Sequence, residues 1–305
     1  MGDQATDQTE AETRADIYQR ITNQIAAAIE AGAGTWQMPW HPGPNGMAPL
    51  LPVNAVTRKP YRGVNTIVIW AAAKAEAYPS ATWATYRQWA ELGAQVRKGD
   101  RASPVVFWKV SGKDEQDDAD EAIPDGQRSR VFARGYSVFN AAQVDGYADP
   151  VLPIPPKVER ISQAEAFFAA VGADVRHGRT HACYRPSQDQ IRMPSLEAFP
   201  DPVAYYATLA HEMIHLTGHP SRCDRGLRGR FGEGAYAMEE LVAELGAAFL
   251  CADLALSPEP RPDHTAYLAW WLKVLRGDKR AIFTAAAKAQ HAVNWLHACQ
   301  SKAGP

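Results

Sequence analysis

Isoleucines recur at every fourth position from Ile17 through Ile21 and Ile25 to Ile29, with Ala26, Ala27 and Ala28 between the last two. At about 3.6 residues per turn this spacing draws one apolar stripe along a helix, which Gly32 or Gly34 ends. The preceding residues 1–15 are polar and aperiodic and read as a disordered tail. After the helix, prolines and glycines break the chain through Pro52, holding Trp36 and Trp40 in an extended segment that either exposes them or docks them. A turn from Asn54 to Asn65 leads into an apolar helix, Ile67 to Ala77, and Ala81 to Ala90 reads as a further short helix. Beyond a turn at Val96 to Arg101, the β-branched and aromatic run Pro104 to Val110 predicts a strand, with Arg130 to Asn140 as its partner. The acidic stretch Asp114 to Asp125 forms the loop between them.

The second half changes period. A helix is predicted from Ser162 to Val171, where Ser162 and Glu165 have capping-box spacing, followed by short strands near Cys183-Tyr184 and Gln190 to Met193. Asp201-Pro202 caps a helix over 202–216, which Gly218 and Pro220 end. A Gly/Arg-rich loop over 220–234 precedes a helix over about 236–253, and two more follow, Thr265 to Leu275 and a helix from Asp278, as cap, to His297. The proline run Asp149 to Pro156 divides the chain: a unit at 16–148, a linker at 149–157 and a unit at 158–305, each expected to hold its own core. The fold class is therefore α+β, an N-terminal α+β domain on a small antiparallel sheet joined to a mainly helical C-terminal domain with a small sheet of its own.

Net charge over the 305 residues is only -2, but its distribution is uneven. Setting aside 1–16 and 114–125, the first 150 residues hold 14 basic against 6 acidic side chains, a footprint suited to a polyanion. Basic and aromatic residues interleave there, as a single-stranded nucleic-acid groove requires. Phosphate contacts are expected from Arg58, Lys59, Arg62, Lys98, Arg101 and Lys109, and base contacts from Tyr61, Trp36, Trp40 and Trp108. The four cysteines are widely spaced and read as reduced buried thiols. No apolar leader or spanning stretch occurs, so a cytoplasmic protein without a membrane partner is expected.

Chemistry concentrates at His211-Glu212-Met213-Ile214-His215, an HExxH motif inside the helix over 202–216. Residues four apart share a helix face, so both imidazoles can reach one metal ion with Glu212 beside them as general base. The next helix offers Glu239, Glu240 and Glu244. Glu240 and Glu244 share a face and Glu239 is turned about 100° away. Glu240 is assigned as third ligand and Glu244 as the acceptor that orients a ligand histidine. With two His and one Glu, a Zn2+ ion, or another divalent ion such as Mn2+, keeps an open position for water and supports peptide hydrolysis. His219 follows Gly218 directly, so the spacing of a third metzincin histidine fails and it reads as a rim residue. Tyr236 reads as a buried structural tyrosine in preference to an oxyanion donor. Arg222, Arg225, Arg228 and Arg230 fit a cleft lining or a solvated loop equally.

Across about 16–300 the chain resembles the ArdC-type plasmid antirestriction proteins, whose N-terminal domain is shared with some conjugative primases and whose C-terminal domain is zincin-like. The resemblance rests on Asp16 to Ile29 with Trp36 and Pro39-Trp40, Asn54 to Asn65, Val96 to Trp108, His211 to His215 with Thr217-Gly218-His219, Glu239 to Phe249, and Asp278 to Leu296. The helix opening on Glu239-Glu240 also looks like the third-ligand helix of related DNA-damage-response and phage-repressor-cleaving metallopeptidases, which supports Glu240. The resemblance implies single-stranded DNA binding and protection of incoming plasmid DNA from restriction during conjugation. Three roles for the metal follow as expectations: a peptidase with a protein substrate such as a restriction component, a structural ion in a pure DNA shield, or a protease for DNA-bound proteins.

Overall fold

The computed structural model describes residues 3–33, 38, 40, 50–110, 131–150, 155–226, 233–256 and 265–301. Helix α1 (Asp3–Ala33) buries Ile17, Ile21, Ile25 and Ile29 along one face. It begins at Asp3, well ahead of the start expected near Asp16, because the polar stretch before it is free of Gly and Pro and rich in residues that tolerate a helix.

The N-terminal half continues as β1 (Val53–Asn54), α2 (Val64–Ala75), β2 (Thr82–Thr85), α3 (Tyr86–Glu91), β3 (Gln95–Val96), β4 (Ser103–Val110), β5 (Val131–Asn140) and β6 (Val144–Asp145). Strands β4 and β5 pair antiparallel from Ser103↔Val138 to Val110↔Val131, as their composition predicts. The sheet order is β1-β2-β5-β4, with β1 and β2 parallel, so the sheet is mixed rather than purely antiparallel. The segment predicted as one helix over Ala81 to Ala90 divides instead. Its Thr-Trp-Ala-Thr start suits a strand, and Thr85 then caps α3 in a reciprocal box with Gln88. Asn65 on α2 closes the outer edge of β4: its amide donates to the Val106 carbonyl at 2.7 Å and accepts from the Val106 N–H at 2.8 Å.

The C-terminal half holds α4 (Lys157–Ala170), a sheet of β7 (Asp174–His177), β9 (Gln190–Met193) and β8 (Cys183–Arg185) in that order, then α5 (Pro202–Thr217), α6 (Glu233–Asp253), α7 (Thr265–Gly277) and α8 (Ala281–Gln300). Helix α4 starts behind the extended Pro156, so Ser162 and Glu165 lie inside it and form no cap. Asp278 likewise sits in the turn before α8, where its carboxylate accepts from the Arg280 N–H at 2.8 Å.

The two halves do not keep separate cores. One cluster joins Ile21, Ile29, Trp40, Ile67 and Trp70 of the first half to Leu209, Ile214, Leu245 and Trp271 of the second. Trp70 meets Phe249 with ring centroids 5.8 Å apart, and the Thr22 hydroxyl donates to the Lys279 carbonyl at 2.8 Å. Two smaller clusters, around Trp89 and around Trp83, belong to the N-terminal half alone. Each large side chain buried at the joint contributes roughly 1.5–3 kcal/mol, enough for a few of them to bind the halves into one unit. Among the described residues no helix is long and apolar enough to cross a membrane.

Candidate metal centre

Asp201 starts α5 by accepting the Ala204 N–H at 2.9 Å, with Pro202 in the first turn where its missing N–H costs nothing. The register set there turns His211 and His215 toward α6, with their Nε2 atoms 3.2 Å apart. Glu240 on α6 completes the group: its carboxylate oxygens lie 3.5 Å from His211 Nε2 and 3.6 Å from His215 Nε2. The three donors all fall within 4.8 Å of one another. A carboxylate facing two imidazole nitrogens from two helices fits a divalent cation in both charge and donor type, and three protein ligands leave a position open. Glu212 is buried beside them.

Each ligand histidine has a second carboxylate on its far nitrogen. Glu244 Oε2 lies 3.8 Å from His211 Nδ1, within ion-pair range but longer than a hydrogen bond. Glu239, which spacing left without a role, takes the matching place at His215, with its Oε1 3.2 Å from Nδ1. Being turned away from Glu240 is what lets Glu239 reach the other side of the imidazole. Arg225 holds it there, Nε donating to Oε2 at 3.0 Å and Nη2 to Oε1 at 2.8 Å. The same guanidinium, only 3% exposed, also donates to the Thr217 hydroxyl and the Ile214 carbonyl at the end of α5.

These contacts set the local charge states. Burial opposes the charge on His215, but the Glu239 hydrogen bond and the nearby Glu240 and Glu212 outweigh it and raise its pKa. Burial pushes Glu239 and Glu240 upward; His215 and Arg225 for the first, and His211 and His215 for the second, overcome it and hold both carboxyls below their ordinary values. Each of these contacts favours the charged form of its group, and a bound cation would take the place of the proton between the imidazoles and Glu240.

Other motif residues fall elsewhere. His219 bonds the Ser221 hydroxyl at 2.8 Å at the exit of α5, outside the donor group. Tyr236 is not the buried tyrosine expected: it is 46% exposed, at the start of α6 where one turn separates it from Glu240, which it hydrogen-bonds. Arg222 is largely buried and paired: it forks onto Asp189 at 2.9 and 2.7 Å and lies 5.8 Å from the Trp295 ring. Arg228 and Arg230 lie outside the described residues. Of the four cysteines, all unbridged, only Cys251 is fully buried, and burial pushes its thiol up to about 12.

In the N-terminal half, Arg58, Lys59, Arg62, Lys98 and Arg101 are exposed. The first three stand on a braced turn. Asn54 Oδ1 accepts the N–H groups of Val56 and Thr57 at 3.0 Å, and Asn54 Nδ2 donates to Tyr61 Oη at 3.2 Å and to Gln88 Oε1 at 3.1 Å. Tyr61 is therefore no base platform: its ring is buried with Ile69 and Trp83 while its hydroxyl staples the turn. Trp40 is likewise withdrawn from the surface, at 3% exposure, into the core shared with α6. Trp36 lies outside the described residues, as does the acidic loop Asp114 to Asp125, and Trp108 and Lys109 belong to β4 with their side chains outside them. An exposed aromatic in this half is Tyr86, 53% exposed at the start of α3, where its hydroxyl accepts from Gln95 Nε2 at 3.0 Å. Its exposure depends on the strand-to-helix change at Thr85, which periodicity alone does not reveal.

Family comparisons match this arrangement. Residues 15–139 match the N-terminal domain of anti-restriction factor ArdC, and residues 162–288 match a zincin-like metallopeptidase domain. The metal-free crystal structure of the antirestriction ArdC protein from plasmid R388 is 40% identical, with a TM-score of 0.76 over 95% of this chain and 100% of that one. The chain belongs to the ArdC antirestriction family. A second ArdC structure from R388, described as Mn(II)-bound, is 39% identical with a TM-score of 0.73, covering 94% and 99% of the two chains. The uncharacterized protein y4eC of Sinorhizobium fredii is 55% identical over 302 residues, 98% of this chain and 96% of its own length. The Escherichia coli DNA primase TraC is 37% identical over 309 residues, which span 96% of this chain but 28% of the primase. An ArdC-type N-terminal domain joined to a zincin-like domain is thus the architecture of this chain.

Proposed function

We propose that this chain binds single-stranded DNA through its N-terminal half, protects plasmid DNA entering a cell by conjugation, and carries a divalent-metal peptidase centre at His211, His215 and Glu240. The observation that carries the enzymatic part is the convergence of those three donors beside a buried Glu212. Manganese in one ArdC relative and the two-imidazole, one-carboxylate donor set support a divalent ion such as Zn2+ or Mn2+. A bound ion supplies Lewis acidity, acidifying a water and polarising a scissile carbonyl. Glu212 then takes the proton of the attacking water and returns it to the departing amine. Glu239 and Glu244 keep the two imidazoles oriented, and Arg225 keeps Glu239 from turning away.

DNA binding rests on the braced turn, which presents Arg58, Lys59 and Arg62 to solvent, and on the exposed Tyr86 ring at the start of α3. Backbone phosphates meet the cations and a base stacks on the ring, a sequence-tolerant arrangement. Titration of the full chain with a fluorescent oligothymidine at several salt concentrations tests this. Binding that weakens steeply with salt is expected, and binding absent at low salt would refute it.

A second reading keeps the metal but not the hydrolysis, so that the ion braces a DNA shield. Its supporting observation is that a carboxylate of the site is held by a residue of the N-terminal half. Glu212→Gln separates the two. Both readings expect the variant to retain metal; protection of plasmid DNA in a conjugation assay is lost if hydrolysis is the mechanism and persists if the ion is structural. A protein crosslinked to single-stranded DNA, supplied as substrate, tests for the third expected activity.

A further inference from the structure

Glu244 is almost wholly buried, and a buried carboxylate is stable only where donors compensate it. One donor comes from far away in the chain. Trp40 Nε1 donates to Glu244 Oε1 at 3.1 Å across a sequence separation of 204 residues. The other oxygen of the same carboxylate faces His211 Nδ1. We propose that Trp40 is a positioning residue of the metal centre, through which the N-terminal half sets how tightly the C-terminal half holds its ion.

The two ligand histidines are braced by similar means but from different sources. His215 is oriented by Glu239, which Arg225 of the same half clamps. The far nitrogen of His211 is faced by Glu244 at 3.8 Å, and the indole that holds this carboxylate belongs to the segment that follows α1. That segment is itself tied into the N-terminal half: Met38 is buried, and its carbonyl accepts from Lys74 Nζ on α2 at 2.9 Å. Movement of α2 relative to α6 would therefore pull on the indole, then on the carboxylate, then on His211. Outer partners of this kind alter metal affinity by roughly 10–100-fold when removed, because they fix the ring and its tautomer.

The inference rests on metal binding at His211, His215 and Glu240, and the test separates the two. The full chain, stripped of metal with a chelator, is titrated with Zn2+ and with Mn2+ against a chromophoric competitor. Trp40→Phe keeps an aromatic ring, though a smaller one, and loses the N–H, Glu244→Gln loses the charge, and a third protein carries both. The melting temperature of each metal-free protein is measured separately. Each single variant is expected to bind about tenfold more weakly, and the double variant no more weakly than the worse single, since both act through one contact. Trp89→Phe, whose indole donates to the Phe139 carbonyl in a different cluster, is expected to bind like wild type. Wild-type affinity in Trp40→Phe alongside a lowered metal-free melting temperature would overturn the proposal, leaving Trp40 a packing residue. Strictly additive losses would overturn it as well. If wild type itself takes up no metal, the reading of the centre fails instead. Lys74→Met loosens Met38 without touching the site and carries the same test if Trp40→Phe folds too poorly to titrate: a severalfold loss supports the proposal and unchanged affinity overturns it.

Discussion

Gly246 on α6 faces Ile214 on α5 so closely that a methyl group on the glycine would come within 2.8 Å of Ile214 Cδ1 and 2.9 Å of its Cγ1. Ile214 adjoins His215, and Gly246 lies two residues past Glu244, so this contact sets how near the two ligand-bearing helices come. Gly246→Ala gains about 1 kcal/mol of helix propensity but overpacks a buried β-branched side chain at roughly 1–3 kcal/mol. We predict a net loss of about 1 kcal/mol in urea denaturation, together with weaker metal binding from spread donors. Adding Ile214→Val removes only the nearest of three close carbons, leaving Cγ1 at 2.9 Å and Cγ2 at 3.0 Å, and should recover part of both. A more stable single variant would show that the helices part at no cost.

Arg225 compensates the Glu239 carboxylate where neither side chain meets much solvent. Removing one partner of such a pair strands the other charge. Arg225→Met is predicted to destabilise the fold by roughly 3–5 kcal/mol, and Arg225→Met with Glu239→Gln to regain a large part of that loss. Chemical denaturation of the two proteins checks it, and additive losses would count against the ion pair as the cause.

Asp201 predicts a pH dependence. Burial tends to raise its pKa, but the Ala204 N–H and Lys157 outweigh burial and hold it below the ordinary carboxylate value. Its charge-dependent contribution is therefore complete above the unfolded pKa of about 4 and is lost as pH falls through the lower folded value. Asp201→Asn keeps a capping oxygen without the charge, so its stability gap to wild type should be present at neutral pH and close on acidification. Asp201→Ala should cost about 1 kcal/mol more broadly through loss of the cap. Urea midpoints measured from neutral to acidic pH decide between these outcomes.

For DNA, the cations of the braced turn and the Tyr86 ring of α3 should divide by type. Tyr86→Ala is predicted to weaken oligothymidine binding by roughly tenfold with little change in salt dependence, as loss of one stacked base requires. Arg58→Ala, Lys59→Ala and Arg62→Ala should each flatten the salt dependence by about 0.7 in slope on a log–log plot. Equal salt slopes in all four proteins would separate this surface from phosphate contact.

What the sequence made readable was whatever depends on neighbours along the chain. His211 and His215 share a face because they are four apart in a helix, and Glu240 follows from the same geometry on the next one. Glu239 was hidden because its partner Arg225 sits in a loop, where no period signals a contact. Prolines around Trp40 leave exposure and docking both open; its burial is decided by α6, far along the sequence. The boundary error at Ala81 to Ala90 has a similar origin. Four residues of strand followed at once by a short helix are too brief for either period to assert itself, and the pairing of Trp83 with Asn140 supplies what local preference could not. The basic residues of turns were placed correctly on the surface because turn chemistry is local.

The continuous core between the halves bears on how an ion acts on the whole molecule. Any ligand held only by the native chain stabilises every segment that must unfold together with its site, by an amount set by affinity and concentration. With Ile21, Trp70 and Phe249 packed in one cluster, metal uptake at α5 and α6 should slow hydrogen exchange in α1 and α2 as well. Metal supply would then govern the lifetime of the N-terminal half, and chelation would destabilise it from a distance.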